Sequence, residues 1–287
     1  MSEANRKLPI VLSQEELWFL LRRTPLRFEA AGPFGLGRPP WEEEGAPCTE
    51  RILLDAAGRA LLARQWITFA DGEARIDDTL LHIVTTAALF QQAVLFLWSE
   101  RGELREHYFY AVPRLTIQHV PSRWGTHTFT ESDFSEVEAL GAEFLDSLQI
   151  PPLAEEPERY AFSIQALARQ LKAAAEQPDL PAFFTRLLEA AEMPEEKAQA
   201  LQTLLLQAEH RLNLNFIYRR KPLERQSLTF VADEKALWVF QEDLQGEDDL
   251  QVQVQRVDTE GARQMIAQAC ARLHPGESGE EAHDVHP

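Results

Sequence analysis

The chain has 287 residues, of which 45% are hydrophobic and 26% are charged, and its formal net charge is −18. This composition predicts a globular protein with a substantial core, in one large domain or two of ordinary size. The negative charge argues against nucleic acid and anionic membrane surfaces as partners, because both attract clustered Lys and Arg. It fits either plain solubility or a basic protein partner.

Cysteine usage and hydropathy bear on the compartment. Cys48 and Cys270 lie far apart and form no CxxC pair, which favours a reducing compartment over a disulfide scaffold. The apolar stretch at Leu8–Leu12 is too short for a signal-peptide core. No stretch approaches the roughly 20 apolar residues of a membrane span. These features predict a cytoplasmic protein without membrane insertion.

The first half of the chain is predicted to contain three helices, four strands and a closing helix. Ser13–Glu16 has the pattern of a capping box and opens a helix that Pro25 ends. A Gly- and Pro-rich loop follows at 28–48. The remaining elements are a helix at 51–65, a small hairpin around Asp71-Gly72, a helix from Asp77 or Asp78 to about Gln92, strands at 93–98, 107–112, 115–120 and 126–130, and a helix ending near Leu148.

The second half is predicted to follow the same order after a Pro-rich, acidic linker at 149–158. Its predicted elements are helices at 160–176, 180–192 and 194–211, strands at 212–218, 227–231, 236–241 and 250–257, and a helix ending near Leu273. In the strand at 212–218, Asn213 and Asn215 face away from the apolar side chains. The acidic tail at 275–287 is predicted to be disordered.

The recurrence of this order, about 120 residues apart, predicts an internal repeat. The clearest local match sets Phe96–Glu100 beside Phe216–Arg220. The strand connections are too short for parallel crossovers. We therefore predict an α+β fold built from a pseudo-two-fold duplicated unit of three helices, a four-stranded antiparallel meander and a closing helix. The units, 1–148 and 159–274, would form one extended sheet or two packed sheets, flanked by helices.

Motifs of the common enzyme classes do not occur in the sequence, which contains no GxGxxG, P-loop, GxSxG or HExxH. We predict a non-enzymatic protein without cofactor or metal. His107, His119 and His127 lie in neighbouring strands, and they either converge on a metal or are ordinary sheet residues. Cys270 is interpreted as a small buried hydrophobe.

The candidate partner-binding residues are apolar. Phe183, Phe184 and Leu187 lie in one short helix, and they either mark a partner site or enter the core between flanking helices. Trp41 precedes the acidic run Glu42–Glu44, and it either anchors a partner or folds back onto the core.

Several segments together resemble a known family. They are Leu12–Trp18, Arg59–Arg64, the hairpin at Asp71-Gly72, and Ile76-Asp77 leading into a helix and a meander. A similar half follows them. This pattern resembles the EspG-like chaperones of type VII (ESX) secretion systems. The resemblance implies a quasi-two-fold α+β fold, and a cytosolic, non-enzymatic protein that holds the aggregation-prone helical tip of a secreted PE–PPE heterodimer until export.

Three functional hypotheses follow. The first is a secretion-substrate chaperone that shields an apolar helical segment of a protein client in a groove or on a sheet face. The alternative is an acidic immunity or inhibitor protein that neutralises a basic toxin or enzyme through electrostatic complementarity. The third is an enzyme built on the strand histidines. Salt separates the first two, because screening weakens electrostatic binding far more than apolar binding.

Overall fold

The computed structural model describes residues 9–23, 47–70, 72–153, 159–163, 193–219, 224–244 and 251–273. Its helices are α1 (Gln14–Arg23), α2 (Pro47–Ala63), α3 (Asp78–Leu89), α4 (Ser135–Ser147), α5 (Glu195–Gln207) and α6 (Thr259–Ala271). Its strands are β1 (Ile10–Ser13), β2 (Ile67–Ala70), β3 (Glu73–Ile76), β4 (Gln92–Glu100), β5 (Glu103–Val112), β6 (Leu115–Pro121), β7 (Thr126–Ser132), β8 (Arg159–Ser163), β9 (His210–Tyr218), β10 (Glu224–Ala232), β11 (Leu237–Leu244) and β12 (Gln251–Val257).

Ten of these strands form one antiparallel sheet in the order β1-β7-β6-β5-β4-β9-β10-β11-β12-β8. The remaining two, β2 and β3, form a separate hairpin. Of the two predicted arrangements, the extended sheet is the one observed, and the α+β fold class is confirmed. Tight turns link the meander: Arg101 and Gly102 both have positive φ in the β4–β5 turn, as expected of a two-residue hairpin loop.

The centre of the sheet is the antiparallel pair β4–β9. Its register runs from Gln92 opposite Tyr218 to Glu100 opposite His210, with Phe96 opposite Leu214 in the middle. Outward from this pair, the strand order is β5-β6-β7-β1 on one side and β10-β11-β12-β8 on the other. This order has the symmetry that the predicted repeat requires, while an origin by duplication stays a prediction.

One face of the central strands packs against α4 and α6. Val94, Phe96 and Trp98 alternate toward this face, because successive side chains of a strand point to opposite sides. They join the corresponding side chains of β9 and β10 in the largest apolar cluster. Gly141 of α4 lies so close to Ile266 of α6 that a Cβ there would be 2.9 Å from its Cδ1. The two helices therefore pack closely above the centre of the sheet.

The opposite face is covered in two separate places. Helices α1, α2 and α3 pack over β1, β7, β6 and β5 in a second apolar cluster that includes Leu20, Leu61 and Tyr110. Helix α5 packs over β10, β11 and β12 in a third, which includes Leu201, Trp238 and Val254. The second cluster reaches Ala93 of β4 and Ile217 of β9, and the third reaches Val231 of β10. Asn213 and Asn215 of β9 lie between the two clusters.

The predicted capping box is present at the start of α1. The Ser13 backbone N–H donates to Glu16 Oε2 at 2.9 Å, and the Glu16 backbone N–H donates to Ser13 Oγ at 3.2 Å. The Glu16 carboxylate is buried and also accepts from Arg64, directly after α2, at 2.9 and 3.0 Å. The Glu16 carboxylate thus caps α1 and, through Arg64, links the end of α2 to the start of α1.

Two edge strands were not predicted. The apolar stretch before Ser13 forms β1, which pairs with β7. The helix predicted from Tyr160 is wrong at its start, because 159–163 form β8, paired with β12. Tyr160 and Phe162 pair with Val254 and Val252 in the register, and pairing with a neighbouring strand outweighs local helical preference. The rest of that predicted helix, and the one at 180–192, lie outside the described residues.

Other boundaries differ by a few residues. Helix α2 begins at Pro47, inside the predicted loop, whereas α5 ends at Gln207 because 210–211 already belong to β9. Pro194 is the N-cap residue of α5 and not its first helical residue. The rest of the predicted loop, residues 154–158 of the predicted linker and the acidic tail lie outside the described residues.

Because α4 and α6 approach closely, we expect a large side chain at position 141 to destabilise the fold. Gly141→Leu should lower the free energy of unfolding by about 1–3 kcal/mol, because the added atoms overpack the contact with Ile266. In a chain that also carries Ile266→Ala, Gly141→Leu should cost less stability than it does in the wild type. Urea denaturation of the two single variants and the double variant measures this coupling. Ala139→Leu, at an exposed position of α4, is the control and should change stability by less than about 0.5 kcal/mol. Equal losses at positions 139 and 141 would contradict the close contact.

Candidate partner-binding surface

The four predicted partner-binding residues, Trp41, Phe183, Phe184 and Leu187, lie outside the described residues. Their roles stay predictions. The described residues point to a different surface, in the middle of the sheet face that α4 and α6 do not cover.

This surface, here called the floor, consists of two rows of side chains across β4, β9 and β10. Each row runs from a leucine through an asparagine to a hydroxyl residue. The rows are Leu97–Asn213–Thr229 and Leu95–Asn215–Ser227, in which neighbours are directly opposite in register. Asn215 and Ser227 are buried, and the other four are half-buried. The floor thus has a polar side on β9 and β10 and an apolar side on β4, where Leu95 and Leu97 also pack against the second apolar cluster.

A chain of hydrogen bonds joins the polar side of the floor. Arg225 donates to Asn215 Oδ1 at 2.6 Å, Asn215 donates to Asn213 Oδ1, and Asn213 donates to Thr229 Oγ1 at 2.7 Å. Each amide orients the next, so that the side chains are held in place before any partner arrives. The Arg225 end of the chain is exposed.

The chemistry of the floor favours donation. Its Arg225 guanidinium has further N–H groups, and the Thr229 hydroxyl, which accepts from Asn213, has its own hydrogen to donate. A ligand with exposed carbonyl or carboxylate oxygens would match these donors, while Leu95 and Leu97 offer apolar contact alongside. The alternation of β9 predicted that Asn213 and Asn215 share a face, but a single strand pattern does not identify their neighbours on β4 and β10.

Two of the three predicted strand histidines converge. His119 Nε2 and His127 Nδ1 are 2.8 Å apart, and both rings are buried. His119 also stacks on Phe129, with centroids 4.6 Å apart. The outer nitrogens, His119 Nδ1 and His127 Nε2, have no hydrogen-bond partner among the described residues. One ring donates an N–H to the other, an arrangement that two neutral imidazoles can form.

Burial opposes protonation of this pair. It lowers the pKa of His127 to about 4, against a smaller opposite effect of Glu15. Burial, and then the neighbouring His127, hold the pKa of His119 well below its ordinary value. A positive charge here would lie in an apolar pocket, which is costly. The pair therefore contributes to the packing of the first half only while it is neutral.

His107 lies on the other face of the sheet, where its Nδ1 is 3.2 Å from Gln118 Nε2. The three histidines thus form no common site. Within the described ranges, no three His, Cys, Asp or Glu side chains come together as metal ligands would. Cys270 is buried, and burial raises the pKa of its thiol to about 12. This thiol is a packed side chain, as predicted, and a poor nucleophile.

Several large apolar side chains are exposed. Within the described ranges, the most exposed are Trp124 (79%), Phe69 (65%), Ile52 (64%) and Leu104 (58%). Trp124 lies in the β6–β7 turn, and Arg123 stacks over its ring. Among the described helices, none has the length and apolar character needed to cross a bilayer.

The neutral histidine pair predicts a loss of stability in acid. The unfolded chain has an ordinary His127 pKa of 6.5 and the folded chain one of about 4, so the unfolded state binds more protons between these values. The contribution of His127 is fully present above pH 6.5, and about 3 kcal/mol is lost as the pH falls through 4. Urea unfolding from pH 7.5 to 4 should therefore show a shallower decline in His127→Gln than in the wild type. The exposed His82 provides the control: equal declines in wild type, His127→Gln and His82→Gln would rule out this role.

Comparison with known proteins connects this geometry to a fold. No family model and no curated protein matches the sequence. Among solved structures, the chain is similar to the type VII secretion system chaperone EspG5 of Mycobacterium tuberculosis, in its complex with the PE25–PPE41 dimer. The similarity has a TM-score of 0.58 at 13% sequence identity and covers 91% of this chain and 95% of that chain. At this identity the likeness concerns the fold alone, which is EspG-like.

Proposed function

We propose that this protein is a non-enzymatic, cytoplasmic chaperone that shields an apolar helical segment of a secreted client before export. The main support is the similarity to EspG5, which extends over nearly the whole of both chains. The EspG5 structure contains a bound protein dimer. A protein client is therefore the ligand that this fold favours, although the similarity does not identify the client.

The floor is the proposed contact surface for that client. It lies between two helix-covered regions of one sheet face, so a helical segment laid on it would also meet the flanking helices. Leu95 and Leu97 would contact the apolar side of such a segment, as in other helix-in-groove complexes. Asn213, Thr229 and Arg225 would donate to its free carbonyl or carboxylate oxygens, which concentrate at the C-terminal end of a helix.

Site-specific photo-crosslinking in the native host tests this proposal. A photoreactive residue at Thr229 should yield one discrete adduct with a secreted helical protein. The same residue at Ala267, exposed on α6 at the other face of the sheet, should yield none. Adducts of equal yield at both positions, or none at Thr229, would argue against the floor as the client site.

The identified client then allows a binding measurement. Leu97→Asp should weaken its affinity at least about tenfold, because a carboxylate would be buried against the apolar side of the client. Trp124→Asp removes a more exposed apolar side chain in a distant turn and should leave the affinity unchanged. Equal losses in the two variants would contradict the proposal.

Salt dependence separates the proposal from the acidic-inhibitor alternative. In 1 M salt the screening length falls to about 3 Å, so binding through net charge should largely disappear. A shielded apolar segment should remain bound under these conditions. A basic partner that is released by salt would favour an inhibitor instead.

A further inference from the structure

Helix α2 has apolar side chains on both its buried and its exposed sides. On its buried side, Leu61 belongs to the second apolar cluster, and Ala57 is also buried. On its exposed side, Ile52 is 64% and Leu62 is 42% exposed. Large apolar side chains that are exposed close together often mark an interaction surface. The exposed side of α2 is therefore a candidate interaction surface.

The exposed side contains a regular seam of four residues, here called the α2 seam. They are Ile52, Asp55, Arg59 and Leu62, all exposed and spaced by three, four and three residues. This is the spacing with which one helix presents a continuous seam to another. The order is apolar, acidic, basic, apolar. Neither Asp55 nor Arg59 forms an ion pair with any described residue.

The α2 seam is complementary to itself in an antiparallel arrangement. A two-fold axis level with position 57 places residue 52 opposite residue 62 and residue 55 opposite residue 59. Ile52 of each copy then meets Leu62 of the other, and Asp55 of each meets Arg59 of the other. A two-fold interface requires this kind of self-matching surface. We propose that two copies of this chain associate through antiparallel pairing of their α2 seams.

The buried side of α2 holds the seam in place. A Cβ at Gly58 would lie 2.9 Å from a ring carbon of Phe19, so α1 and α2 pack in close contact. Arg64, the residue that follows α2, donates to the buried Glu16 carboxylate and, at 2.7 Å, to the Val11 carbonyl. The seam is therefore presented by an anchored helix, and little conformational entropy is lost when it pairs.

The size of the α2 seam sets the expected strength. From Ile52 to Leu62 the helix rises about 15 Å. A contact of this length buries less than the roughly 800 Å² on each partner that is typical of a standard-size interface. The protein is also strongly acidic, and two like-charged copies repel one another. The pairing should therefore be weak and concentration-dependent, and physiological or higher salt should be used to screen the general repulsion.

Sedimentation equilibrium of the purified full chain tests the proposal by charge exchange. Asp55→Arg or Arg59→Asp alone places like charges opposite one another twice, and each should weaken self-association roughly tenfold. An equimolar mixture of the two single variants should restore association, because an arginine of one variant then faces an aspartate of the other in both contacts. The double variant Asp55→Arg/Arg59→Asp should also associate like the wild type.

The controls separate this result from misfolding and from client binding. The substituted positions are exposed, and circular dichroism should show an unchanged fold. Lys235→Asp, exposed in the turn between β10 and β11, changes the net charge by the same amount as Arg59→Asp and should associate like the wild type apart from that effect. A wild type that stays monomeric at the highest soluble concentration would overturn the proposal. So would single variants that associate as well as the wild type, or a mixture that does no better than its components.

Discussion

The pairing of β4 with β9 is the interaction on which the rest of the structure depends. These two strands come from the two predicted halves of the chain, and their nine-residue register makes one sheet of the two meanders. Their side chains toward α4 and α6 form the middle of the largest apolar cluster. A substitution that disturbed Phe96 or Leu214, at the centre of this register, would thus affect the sheet, its main core and both closing helices together.

The helices are distributed unequally over the two faces of this sheet. On one face, α4 and α6 cover the central strands, whereas on the other face the described helices pack over the two sides of the sheet. The middle of that face carries the Asn213–Asn215 network, whose hydrogen bonds explain how polar side chains are accommodated between two apolar clusters. A wholly apolar floor would bind any exposed hydrophobe. A floor that is half leucine and half ordered donors would favour a ligand that satisfies the donors it covers.

Local sequence patterns predicted most of the described fold. The capping box at Ser13–Glu16 and the alternation of β9 depend on neighbours in the chain, and both are present in the structure. The edge strands β1 and β8 were missed because four or five residues carry little strand signal without their partners β7 and β12. The floor was missed for a related reason: it is assembled by pairing across β4, β9 and β10. Likewise, His107, His119 and His127 were placed in neighbouring strands, but only the strand register shows that His107 faces the other way.

The long sequence separation between β4 and β9 has a consequence for synthesis on the ribosome. Strand β4 ends at Glu100, and β9 begins at His210. At roughly 5–20 residues per second, the first meander emerges roughly 5–20 s before its partner strand exists. During that interval β4 is a long, apolar edge strand whose backbone groups can pair with any other chain, which is a known cause of aggregation. A protein proposed to protect the exposed segments of others must therefore itself pass through a nascent stage in which its central strand is unprotected.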